Sequence, residues 1–272
     1  MALGLAAGAC ALVLALTSCS RFSGTSGAVA AAAPRSSDHP APGSTYALLQ
    51  MNLCLSGLAE CYRKVAYPAV VEEAVVRIRQ MQPDAVTFNE ACRNDVALIA
   101  RRTGYHLRFS RVIYRGRPLP CIRPGGRGLF GDAILTKSPI ASGDGQAFDV
   151  QTDIEWRQWL CVTTQVEVDV CTAHLGERTP VEVAGNNGQC VELAALLARR
   201  AISRTVAFGG DVNRRSSCAP HGFWTRTDGA AHQDPGLQQV YGTGALRSPS
   251  AEVVPTRHTD HDILLVRARL TR

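Results

Sequence analysis

The sequence predicts an α/β domain in which two β-sheets pack face to face with helices on the outside. Three observations predict it. Short apolar runs rich in β-branched residues recur along the chain, several of them end on a single polar or charged residue, and only two or three segments carry helical spacing. Strands mixed with a few helices bury their apolar faces as packed layers.

Taken in order, residues 46–53 read as a strand. Residues 70–81 place Val71, Ala74, Val75, Ile78 and Met81 at helical spacing, and Pro83 stops that helix before a buried strand over 85–88. Residues 95–102 form a second helix with Gly104 as its C-terminal stop. Strands are expected at 129–135 and 147–150, and a hairpin at 160–166 and 168–173. Residues 190–202 carry Val191, Ala194, Leu197 and Ala198 on one face of a third helix. Strands at 205–208 and 262–269 complete the pattern. The stretch 101–127 holds Arg101, Arg102, Arg108, Arg111, Arg115, Arg117, Arg123 and Arg127 and is broken by Gly and Pro, so it is expected as loop. It is either a solvated surface or a binder of a polyanion backbone. Trp156, Trp159 and Trp224 are expected in packing, and His106, His221, His232 and His258 at structural or exposed positions.

The chemistry-bearing residues stand at the ends of these strands. The word Gly209-Gly210-Asp211-Val212-Asn213 follows the apolar run 205–208. Its glycines are expected to turn the backbone and let it approach a ligand. Asp211 and Asn213, two apart on extended chain, point the same way. Alone, such a word is as well an Asx turn. Four more words accompany it in order: Gln50-Met51-Asn52-Leu53, the strand ending in Asn89-Glu90, the run ending in Ala173-His174, and Thr259-Asp260-His261-Asp262 before the last strand. The set Asn52, Glu90, His174, Asp211, Asn213, Asp260 and His261 combines hard oxygen donors with two imidazoles, which suits Mg²⁺ and a phosphate better than zinc.

This ordered set resembles the endonuclease/exonuclease/phosphatase superfamily, the DNase I-like fold, over residues 46–269. Gly131-Asp132-Ala133-Ile134-Leu135-Thr136 is similar to an internal strand of that family, usually Gly-Asn-Ala-Ile-Leu-Ser. The resemblance implies a four-layer sandwich of two mostly antiparallel sheets flanked by helices. It implies metal ligation by Asn52, Glu90 and Asp260, with Mg²⁺ expected and Mn²⁺ or Ca²⁺ as alternatives. It implies that Asp211 and Asn213 orient the attacking water and hold the phosphate, and that His174 and His261 flank the scissile phosphate. One position departs from the family. The Asp that accepts from the last histidine falls on Gln238, in Leu237-Gln238-Gln239-Val240-Tyr241. Gln accepts a hydrogen bond but carries no charge, so either Asp228 or Asp234 substitutes, or activity is lowered, or turnover is lost.

Residues 1–19 are apolar up to Leu16-Thr17-Ser18-Cys19, which resembles a lipobox with Cys19 lipidated; an ordinary secretory signal is the alternative. No Lys or Arg precedes Arg21. Residues 20–44, rich in Ala, Ser, Gly and Pro, are expected as a tether, and 45–272 as one domain. Setting aside Cys10 and Cys19 leaves eight of ten cysteines, an even number that suits four disulfides in an exported protein. Spacing alone leaves 105 pairings open. Proximity in the resembled fold implies Cys54 with Cys61, Cys92 with Cys121, Cys161 with Cys171, and Cys190 with Cys218. The formal net charge is +6, carried by Arg with only Lys64 and Lys137 as lysines. The expected function is an exported, metal-dependent phosphodiesterase acting as a monomer on DNA, attached to the membrane through Cys19. Phospholipid or sugar-phosphate hydrolysis and polyanion binding without turnover are the alternatives.

Overall fold

The computed structural model describes residues 43–271 except 59 and 152. The expected signal, the lipobox and nearly all of the expected tether lie outside the described residues. In chain order the strands are β1 (Thr45–Asn52), β2 (Ala85–Cys92), β3 (His106–Arg111), β4 (Ile113–Tyr114), β5 (Arg117–Pro118), β6 (Phe130–Thr136), β7 (Ile140–Ala147), β8 (Glu155–Trp156), β9 (Gln158–Thr164), β10 (Val168–Ala173), β11 (Thr205–Asp211), β12 (Trp224–Thr227), β13 (Gln238–Gly242), β14 (Leu246–Val254) and β15 (Ile263–Leu270). The helices are α1 (Ala69–Met81), α2 (Arg93–Thr103) and α3 (Val183–Ala201).

Two six-stranded sheets carry the fold, ordered β14-β15-β1-β2-β6-β3 and β12-β13-β11-β10-β9-β7, with a small sheet β5-β4-β8 beside them. Pairing is antiparallel except for β1 with β2 and β10 with β11. Three apolar cores follow from the alternation of side chains across each strand. Leu48, Ile134, Val162, Val170, Val240, Leu264 and Val266 fill the space between the sheets. Leu49, Phe88 and Leu135 pack the outer face of the first sheet against Val71, Val75 and Ile78 of α1 and Ile99 of α2. Phe208, Tyr241 and Leu175 pack the outer face of the second sheet against Leu193 and Leu197 of α3. The mostly antiparallel, helix-flanked sandwich is the expected architecture.

Several elements differ from expectation, each for a physical reason. Residues 148–150 are not a strand: the amides of Asp149 and Val150 donate to the Glu192 carboxylate at 2.8 and 2.9 Å instead of to a ladder. The strand lies earlier, at β7, whose polar, mostly exposed sequence marks an edge. Helix α3 begins seven residues before the expected 190 because tertiary hydrogen bonds override weak helix formers. Asn186 Nδ2 donates to the carbonyls of Gly176 and Val212 (2.6 and 2.9 Å), and Gln189 Oε1 accepts from Gly176 N–H at 2.8 Å. Val191 is 70% exposed, so the buried face of α3 runs through Cys190, Leu193 and Leu197. The Arg-rich stretch contains β3, β4 and β5 rather than one loop.

The two glycines of the Asp-x-Asn word do not turn the chain. Both lie inside β11. A Cβ on Gly209 would meet Thr87 Oγ1 at 2.4 Å and Leu48 Cδ2 at 2.7 Å in the facing sheet, and one on Gly210 would meet the Ala173 carbonyl oxygen at 2.3 Å. Gly209 lets β11 approach β1 and β2 of the facing sheet, and Gly210 lets it lie close to β10 in its own sheet. The four disulfides join the pairs implied by the resemblance.

Candidate active site

The parallel pairs β1–β2 and β10–β11 end on the same side of the sandwich, and β15, antiparallel to β1, begins there. Six side chains from these ends, Glu90, His174, Asp211, Asn213, Asp260 and His261, line one cleft of about 660 Å³. Asn52 lies beneath it, 1% exposed. Its Nδ2 donates to Glu90 Oε1 at 2.9 Å and to Asp211 Oδ2 at 3.1 Å, bridging the two sheets. Its Oδ1 accepts from the Cys54 amide at 3.1 Å, so of the three expected metal ligands Glu90 and Asp260 are the two that line the cleft.

Glu90 is aimed by a break in β2. The register slips between Phe88 and Ala91, and Glu90 has φ 54°, an uncommon conformation for a side-chain-bearing residue. The Glu90 carbonyl accepts from the Leu55 amide at 2.8 Å, and the Cys54–Cys61 disulfide closes the loop that supplies that amide. Neighbouring Asn89, fully buried, ties the layers together: its Oδ1 accepts from Gln50 Nε2 at 2.8 Å and from the Asp211 amide at 2.7 Å, and its Nδ2 donates to Asp132 Oδ1 at 3.0 Å.

Burial pushes the Glu90 carboxyl up to about 7, opposed by the Asn52 hydrogen bond, with Glu155 and Asp260 adding to the rise. Burial likewise opposes ionisation of Asp211, but His261 foremost, with the Asn213 amide and Asn52, outweighs it and holds that carboxyl below its ordinary range. Glu90, Asp211 and Asp260 gather carboxylate oxygens about one cleft, and a divalent cation fits such a donor set.

The two histidines are unlike. His174 is pulled down to about 3 by burial and then by the guanidinium of Arg157. Arg157 Nη1 lies 3.0 Å from His174 Nδ1, and Asn213 Nδ2, which also donates to the Leu175 carbonyl at 2.9 Å, lies 3.1 Å from His174 Nε2. Both ring nitrogens face donors, so the ring is neutral, and its Nε2, 3.9 Å from Glu90 Oε1, makes no ion pair. Burial also opposes charge on His261, but Asp211, Asp260, Glu90 and Asp234 outweigh it and lift this ring above the ordinary histidine value. His261 Nε2 stands 3.7 Å from Asp211 Oδ2 and 4.0 Å from Asp260 Oδ1.

Gln238 does not take the part of the missing Asp. It pairs with Asp211 across β11–β13, but its Nε2 donates to the Asp262 carbonyl at 2.5 Å and to Asp228 Oδ2 at 3.3 Å, and its Oε1 accepts from Gln50 Nε2. His261 Nδ1 is buried with no hydrogen-bond partner among the described residues. Asp228 is spent on Gln238 and on the amides of Gly236 and Gln238. Asp234 lines the cleft and acts on His261 through its charge.

The structure brings all seven expected residues together and adds others that sequence reasoning missed. Arg157, 7% exposed and paired with Glu155 at 2.8 Å, backs His174. Its only signal is a charged residue opening an apolar strand. Arg178 lines the cleft from the loop after β10 and carries no strand-end signal.

The family model of the Endonuclease/Exonuclease/phosphatase family matches residues 68–261. The chain belongs to this family. Its members are phosphoric-ester hydrolases, many of them metal-dependent. The endonuclease/exonuclease/phosphatase from Beutenbergia cavernae is 18% identical, with TM-score 0.62 over 83% of this chain and 72% of that one. The human Nocturnin catalytic domain, solved with a bound sulfate anion, is 13% identical, with TM-score 0.61 over 84% and 95%. TDP2 of D. rerio, solved with a single-strand DNA product, is 12% identical, with TM-score 0.56 over 83% and 99%. No curated protein matches the chain in sequence.

Proposed function

We infer that this family member is a Mg²⁺-dependent phosphodiesterase that hydrolyses DNA outside the cytoplasm. The observation that carries the reading is the convergence of Glu90, Asp211, Asp260, Asn213 and the two histidines on one cleft, with Glu90 raised to about 7 by burial. Glu90 and Asp260 would hold the ion, which when bound neutralises phosphoryl charge. Asp211, kept ionised, orients the attacking water, and His261, its charge favoured by surrounding carboxylates, meets a phosphoryl oxygen from one side. On the other side Arg157 occupies the Nδ1 lone pair of His174 and leaves that ring's hydrogen on Nε2, toward the cleft. The Asn213 amide then yields its place to the phosphate. DNA as substrate is supported by the TDP2–DNA complex of the same fold. Export, with attachment through Cys19, is supported by the four disulfides, which persist in oxidising compartments.

The test is hydrolysis of supercoiled plasmid by the oxidised protein. Nicking with Mg²⁺ is expected, with loss in EDTA and a fall of about a hundredfold or more in Glu90→Ala. Intact plasmid after incubation with folded, metal-supplied protein would remove DNA hydrolysis.

A further inference from the structure

A second groove, of about 700 Å³, runs along β3 and is lined by Arg93, Arg108, Phe109, Arg111, Trp156 and Gln158 among others. Among the described residues no carboxylate lines it, whereas the catalytic cleft is lined by Glu90, Glu177, Asp211, Asp234 and Asp260. Its three guanidinium groups are exposed and none forms an ion pair among the described residues; Arg108 donates only to the Gly143 carbonyl, at 3.4 Å. Trp156, expected in packing, instead leaves 45% of its surface in water. An exposed indole beside unpaired guanidinium groups is a poor core and a good surface for a charged, aromatic ligand.

The groove is built against the catalytic cleft. Along β8 and into β9 the side chains alternate: Glu155 and Arg157 line a side pocket shared with Glu90 and His174, while Trp156 and Gln158 line the groove. Arg157 is the residue 3.0 Å from His174 Nδ1. At the other end, Arg93 follows Glu90 by three residues. Gln158 ties the two walls together, accepting from Ser110 Oγ at 2.8 Å and donating to the Arg111 carbonyl.

Resting on the nucleic-acid reading of the cleft, we propose that this groove holds a single-stranded stretch of polynucleotide leading away from the scissile phosphate. Arg93, Arg108 and Arg111 follow the phosphates, and Trp156 stacks on a base. Phosphate contacts alone accept a duplex equally well. The indole face makes the difference, because a base must be unpaired to stack on a side chain.

The test is fluorescence anisotropy of a labelled 20-nucleotide oligo-dT and of a hairpin duplex, with the oxidised full chain in EDTA so that nothing turns over. Arg108→Gln/Arg111→Gln is expected to weaken oligo-dT binding about tenfold or more at low salt. It should also lower the slope of log affinity against log salt by about 1.4, at roughly 0.7 per lost phosphate contact. Trp156→Ala is expected to weaken oligo-dT about tenfold and the duplex little. Arg247→Gln/Arg269→Gln removes the same charge at the opposite edge of the first sheet, on β14 and β15, and is expected to change affinity less than twofold. Circular dichroism confirms that each variant is folded. The proposal is overturned if the control pair weakens binding as much as the groove pair, if Trp156→Ala binds oligo-dT normally, or if anionic vesicles bind where oligo-dT does not. Wild-type hydrolysis of bis(p-nitrophenyl) phosphate with Mg²⁺ separates the two readings. Hydrolysis without oligonucleotide binding overturns the groove and leaves the cleft. Groove-dependent binding without hydrolysis of any diester does the reverse.

Discussion

His174 and His261 hold matching places on the two sheets, one just after β10 and the other just before β15, at 7% and 8% exposure. Burial works against a proton on both. Yet one ring is held at about 3 and the other is lifted above its ordinary value. The difference lies in the groups behind them. A guanidinium stands at His174 Nδ1, and carboxylates surround His261 Nε2. Near-equivalent backbone positions thus present a neutral donor on one side of the cleft and a ring that favours charge on the other. Strand position sets where an imidazole stands, and the neighbouring charge sets what it does.

Breaking that contrast at its strongest point means removing Arg157. Its guanidinium pairs with half-buried Glu155 and acts on Glu90 and Asp132. Arg157→Leu leaves these carboxylates without compensation, and a stability loss of about 3–5 kcal/mol is expected in urea unfolding. The His174 ring, freed of the adjacent charge, should titrate well above 3 in a histidine NMR series. Arg157→Lys, which keeps the charge but not the planar fork, should recover part of the stability. An unchanged His174 titration in Arg157→Leu would mean that burial alone sets the ring.

The His261 side is sharpened through pH. Burial pushes the Asp228 carboxyl up to about 6 from an ordinary 3.8, against the opposing hydrogen bonds of Gln238 and Gly236. A raised acid binds its proton more tightly in the folded state. Its contribution to stability is therefore full below about 3.8 and is lost as pH rises through about 6. The span is on the order of 2–3 kcal/mol. His174 has the opposite sign: its lowered value contributes stability above about 6.5 that is lost as pH falls toward 3. Asp228→Asn removes the first contribution. Relative to wild type, the variant should gain stability between pH 4 and 6, and His174→Gln should lose the acid-side decline. Urea midpoints at pH 4, 5, 6 and 7 check both; parallel curves for wild type and Asp228→Asn would refute the assignment.

What the sequence made legible was the part of this contrast that depends on strands. Asn52, Glu90, His174, Asp211 and the Asp260–His261 pair each end or begin an apolar run, and their order carried the family likeness and with it the disulfide pairs. What depended on contact between layers stayed hidden. The role of Gly209 is visible only once Thr87 and Leu48 of the facing sheet lie against it. The first turns of α3 fall outside the helix expected from spacing because Asn186 and Gln189 find their partners on Gly176 and Val212. Arg157 gave no period and no motif. It matters through an interaction with a residue 17 positions away. The vacancy at Gln238 was legible, but its consequence was not: the unpartnered Nδ1 of His261 follows from where Gln238 spends its hydrogen bonds.

The smallest test probes the weaker of the two donors on His174. Asn213 has φ 51°, so Asn213→Ala would mix the loss of an amide with backbone strain. Asn213→Gly removes the side chain and keeps the left-handed backbone accessible. The Leu175 carbonyl loses one hydrogen bond, and His174 Nε2 loses a donor that opposed its hydrogen. Stability should therefore fall by only about 1 kcal/mol. The His174 titration should rise, and by less than in Arg157→Leu, because a neutral amide is exchanged rather than a full charge. If Asn213→Gly moved the ring as far as Arg157→Leu, hydrogen bonding rather than charge would distinguish the two histidines.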